Sequence, residues 1–182
     1  FHHAMSNIAL FNSFLSFITN KNKHPRLPHW LFLFGTYFFP QINIEVICKH
    51  PDGSFYLTWR DDQFKNYGWH IPGGIIRPNE SLIDRVKLTI NDELPFLSLD
   101  NASFELVGFS QVLSSPPSIR SHFFSLVYVC SLSNFFHIPF DKRDTTLITY
   151  DLPENTITNH LRYAPLFKSL RTSSIPPPFR EY

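Results

Sequence analysis

Residues 72–74 read Pro-Gly-Gly, and no other stretch limits the chain's options as sharply. Proline has no amide hydrogen to give to a helix or a sheet ladder, and two adjacent glycines, of only 6 in 182 residues, have no side chain to hold a regular element. The chain must break here. Before the break, Trp69, His70 and Ile71 alternate as a strand does; after it comes a helical pattern. Asn79 is a good N-cap, Leu82, Val86 and Ile90 recur every four residues between Glu80 and Leu94, and Pro95 stops the run. Strand, break and helix in succession point to layered α and β elements.

The flanking segments extend that pattern. Asn7 to Thr19 has the spacing of an amphipathic helix. Ile42, Glu45 and Ile47, then Phe55 to Trp59, are β-prone runs joined by the turn Pro51-Asp52-Gly53, which predicts a hairpin. Phe104 to Val112 and Phe123 to Leu132 read as two strands separated by a loop at Ser114 to Ser118. Thr145 to Ile148 is a short strand, and Pro153 and Asn155 open a helix toward Leu170. The expected class is α+β, with a mixed sheet between helices in an α/β/α sandwich.

Composition narrows the function. With 16 basic and 15 acidic side chains the net charge is +1, too little for a phosphate-tracking surface, so no nucleic-acid partner is expected despite 20 phenylalanines. Cys48 and Cys130 lie in apolar runs without any Cys/His cluster at metal spacing, which predicts core thiols, no disulfide, no zinc and a cytoplasmic setting. Ile8 to Ile18 has no basic segment before it, and Trp30 to Phe39 is about half of the roughly 20 residues that a spanning helix needs, so no membrane partner is expected. Residues 1–4 resemble a tag remnant, 5–27 an N-terminal helix and linker, 28–172 one domain, and 173–182 a Pro-rich tail. Aromatics on the N-terminal helix would suit a homodimer.

Glu93 is the chemically pointed residue. At about 100° per residue it lies about 20° from Val86, within the apolar stripe of its helix. It also sits in the last turn, where the helix dipole disfavours a carboxylate. A buried acid there needs a cation, from a side chain or a metal, unless Pro95 frays the turn into solvent. Thr89 and Asp92 are close enough in sequence to offer further oxygens to a hard ion such as Mg²⁺.

Gly68-Trp69-His70-Ile71-Pro72-Gly73-Gly74, then Glu80 after five residues, then Asp92-Glu93, resembles the signature of Nudix hydrolases. Gly74, Glu80, Ile90, Asp92, Glu93 and Phe96 fit; Leu88, Thr89 and Pro95 stand where the family has Arg, Glu and Gly. The departures are similar to the branch of GDP-mannose mannosyl hydrolase, with Glu45, Gly53, Arg60 and the run Ile157 to Tyr163 at matching places. Ile75, Phe123 and Lys142-Arg143 depart from that branch's Arg, Tyr and Gln-then-His.

The resemblance implies a Nudix-like domain at 28–172 and a Mg²⁺-dependent attack of water on a nucleoside-diphosphate small molecule, such as the nucleotide sugar GDP-mannose. It implies Gly73, Glu93 and Asp92 as metal positions, Glu93, Arg60 and His122 as catalytic, and Glu45, Arg60 and Phe123 against substrate. His70 and His137 are alternatives for the base. A catalytically impaired module that binds a nucleotide or regulates is the other reading, motivated by Leu88, Thr89 and Ile75.

Overall fold

The computed structural model describes residues 12, 29–61, 67–113, 122–172 and 179–181. Helix α1 spans His29–Phe38, α2 Leu82–Glu93, α3 Thr158–Leu161 and α4 Ala164–Thr172. The strands are β1 Gln41–Lys49, β2 Phe55–Asp61, β3 Tyr67–His70, β4 Gly73–Ile75, β5 Ser103–Leu113, β6 His122–Ser131, β7 Thr146–Thr149 and β8 Phe179–Glu181. They form one mixed sheet in the order β3-β2-β1-β6-β5-β8, with β4 added to β1 and β7 to β2.

Alternation along β1 explains why both faces are covered. Ile44, Val46 and Cys48 pack with Val86, Ile90 and Leu94 of α2, whereas Ile47, with Phe55 and Leu57 of β2, meets Tyr163, Leu166, Phe167 and Leu170 of the C-terminal helices. The α+β sandwich and the two core thiols of the sequence reading are present. Four details differ from it. The Pro-Gly-Gly break itself contributes β4, because Gly73 and Gly74 pair with Glu45 and Ile44. Ser81 caps α2 through its hydroxyl while Asn79 takes a positive φ of 61° in the preceding turn. Leu82 is 38% exposed, outside the buried stripe that continues through Val86, Ile90 and Leu94. The last helix comes in two pieces, α3 and α4. The expected tag remnant and the helix Asn7 to Thr19 lie outside the described residues, except Asn12, and so does most of the Pro-rich tail. Among the described residues, no helix is long and apolar enough to cross a membrane.

The sheet splits where the site forms. β1 runs beside β2 at Lys49 and Phe55, but by Glu45 its partner on that side is Gly73 of β4. The Pro72 carbonyl accepts from the Val46 amide at 2.8 Å, which seats the break against β1.

Candidate functional site

Glu93 ends α2 with its side chain turned in toward β2 and β3, as its place on the apolar stripe requires. Its Oε2 accepts from the Thr58 hydroxyl at 2.6 Å and lies 3.0 Å from His70 Nε2, while Oε1 accepts from the Gly73 amide at 2.9 Å. Thr58 and His70 are register partners on β2 and β3, so their side chains share the face under α2. His70 Nδ1 lies 2.7 Å from the Thr58 carbonyl oxygen, which can only accept. Both ring nitrogens thus face acceptor oxygens. Burial by itself pushes the Glu93 carboxyl up, but the bond to His70, its charge, the Thr58 hydroxyl and the Gly73 amide outweigh this and hold it below the ordinary value of 4.5.

A second acid–imidazole pair lies on the opposite face. Glu45, 3% exposed, points from β1 toward α3, where the Ile71 amide donates to Nδ1 of buried His160 at 2.9 Å. That bond makes Nδ1 the acceptor and leaves the ring proton on Nε2, which is 3.5 Å from Glu45 Oε1. Asn43 also donates to Oε1, at 2.6 Å. Glu45 Oε2 is buried and has no hydrogen-bond partner among the described residues. Gly73 stands between the two pairs: its amide serves Glu93, and a Cβ on it would come 2.6 Å from Glu45 Oε2. The His70 and His160 rings are 6.0 Å apart. The structure therefore collects two carboxylates and two imidazoles around one glycine.

Of the sequence-named residues, Glu93, Gly73 and Glu45 are brought together. Arg60, two residues beyond Thr58 on β2, is on the same sheet face as Thr58 and opposite Gly68 in register. His122 is elsewhere. It opens β6, five residues before Val127, the register partner of Glu45, a separation of roughly 16 Å along the strand. Its Nε2 is 3.0 Å from Gln111 Nε2, and half-buried Phe123 follows it beside Gln41 and Val112. His137 is exposed next to Phe135. Glu80 belongs to neither pair: Arg85 grips it through Nη2 at 2.5 Å and Nε at 2.7 Å, and the Arg77 amide donates to it at 3.0 Å, which locks the loop before α2.

The arrangement does not fit a divalent ion at the implied positions. Glu93 already accepts from three protein donors, one of them the Gly73 amide, so an ion at its oxygens would compete with all three. Asp92 is exposed, and Thr89 Oγ1 is buried against Gly74 with no hydrogen-bond partner among the described residues. Among the described residues, no three His, Cys, Asp or Glu side chains are grouped to hold a metal ion.

Sequence reasoning passed over Thr58 and His160. Thr58 carries no local signal beyond its strand. His160 had one, since it precedes Tyr163 by three residues and Phe167 by seven and so falls on the stripe that those core residues define.

No family model matches the chain, and no curated protein matches it by sequence. Solved structures do match. A Bacillus subtilis pyrophosphohydrolase is 19% identical over 72% of this chain and 80% of its own, with a TM-score of 0.51. The NUDIX domain of Shewanella oneidensis NrtR, solved with ADP ribose, is 12% identical over 78% and 97%, with a TM-score of 0.52. An Ap4A hydrolase of C. elegans is 11% identical over 73% and 95%, with a TM-score of 0.50. At these identities the likeness is one of architecture, and the chain has the Nudix fold.

Proposed function

We propose that this chain hydrolyses a nucleoside-diphosphate derivative where β1 and β4 set Glu45 and Glu93 on either side of Gly73. The observation that carries the reading is Glu45 Oε2, a buried carboxylate oxygen without a donor, backed at Oε1 by His160 and Asn43. An oxygen so placed is a ready acceptor for the proton of a water or a ligand hydroxyl. No step of this reading passes through a metal ion. The names of the structural relatives, a pyrophosphohydrolase, an Ap4A hydrolase and a domain holding ADP ribose, support the substrate class. Within that class we propose a nucleotide sugar such as GDP-mannose as the substrate to try first, and a cytoplasmic homodimer as the working form.

The second reading is a binding or regulatory module without turnover. The hydrogen-bond saturation of Glu93 favours it, as do Leu88 and Thr89 in place of the signature's Arg and Glu. Chromatographic product release from GDP-mannose, ADP-ribose and a diadenosine polyphosphate separates the two, with calorimetric binding alongside. Turnover that drops about 100-fold or more in Glu45→Gln is the expected result. Binding without product selects the second reading, and neither binding nor product removes both.

A further inference from the structure

We infer that His70 takes the cation's place at Glu93, so that the wild-type chain holds no divalent ion there and loss of the imidazole turns the same pocket into an ion site. The inference goes beyond the proposed activity and does not need turnover.

A carboxylate has about four lone-pair directions, and three of those on Glu93 are taken by Thr58, His70 and Gly73. Of these donors the imidazole alone can carry a full positive charge. It is also fixed from behind, because Nδ1 is committed to the Thr58 carbonyl, and its side chain is only 5% exposed. A divalent ion approaching Oε2 would have to displace a buried ring from both its contacts. The neighbouring oxygens offer little in return, since Asp92 is exposed and Thr89 supplies a single hydroxyl over Gly74. Without the ring, the Thr58 hydroxyl and carbonyl and the Glu93 carboxylate would face a vacated volume with oxygens, the donor type that Mg²⁺ and Mn²⁺ take.

The test titrates Mn²⁺ into wild type, His70→Ala, His70→Phe and His70→Ala/Glu93→Gln without nucleotide, following free Mn²⁺ by electron paramagnetic resonance. Thermal melts check folding. Wild type should show no saturable site at millimolar Mn²⁺. His70→Ala should bind one equivalent, at least about tenfold tighter, the size of change that residues behind a metal ligand produce. His70→Phe fills the volume and should not bind, and Glu93→Gln should abolish the gain. One-to-one Mn²⁺ binding by wild type that is lost in Glu93→Gln overturns the inference without any variant at position 70. A folded His70→Ala chain with no gain overturns it as well.

Discussion

The two acid–imidazole pairs beside Gly73 are alike in composition and opposite in bonding. On the α2 face, Glu93 has three donors, one of them a ring nitrogen at 3.0 Å, and its carboxyl is held below the ordinary range. On the α3 face, Glu45 is more deeply buried, its ring nitrogen is at 3.5 Å, and one oxygen has no donor. A satisfied buried pair holds elements together, whereas an unsatisfied buried acceptor costs stability and is retained where chemistry needs it. The difference assigns tethering to Glu93 and His70, which join α2 to β2, β3 and β4. Under the proposed function, reaction falls to Glu45 and His160.

Removing one side of each pair should separate these roles. Glu93→Gln takes the anion away from the Thr58, His70 and Gly73 donors and should lower unfolding stability by about 3 kcal/mol in urea titration. Gly73→Ala forces a methyl against Glu45 Oε2 and should cost about 1–3 kcal/mol while disturbing both pairs together. Thr58→Val removes one donor from Glu93 and should cost about 1 kcal/mol with no direct effect at Glu45. Glu45→Gln removes a charge whose burial is only partly compensated, and its stability should stay within about 1 kcal/mol of wild type.

Acid sharpens the same contrast. Because the folded carboxyl of Glu93 is depressed, its stabilisation is fully present above the unfolded glutamate value and is lost as pH falls through the folded one. Urea midpoints should therefore fall with acid below about pH 4.5 in wild type, and this fall should be shallower in Glu93→Gln. An equal slope in both chains would mean that Glu93 does not carry the tether.

The sequence displayed one pair better than the other, for a physical reason. Glu93 was conspicuous because helical periodicity forces an acid into an apolar stripe, and that conflict can be computed from spacing alone. Its need for a cation was legible too, but the answer, His70, depends on β2–β3 register and could not be read from local pattern. Asp92 shows the limit of the wheel: one residue from Glu93, it is about 100° away and exposed. Glu45 stands out in sequence only through the resemblance, as a position against substrate; that it is buried beside His160 follows from the splitting of β1 from β2 and the arrival of α3. His122 was well matched in motif terms, yet the parallel pairing of β6 with β1 carries it away from Glu45. The glycine break was read correctly as a change of direction, but its two residues also fill a gap in the sheet, which propensity does not anticipate.

The most direct test of the central claim is product release from the nucleoside-diphosphate panel in excess EDTA, with wild type compared with Glu45→Gln at matched folded concentration. The account expects wild type to release product under chelation and Glu45→Gln to lose about 100-fold or more of that rate. Equal rates in the two chains, or no product from wild type, would contradict it.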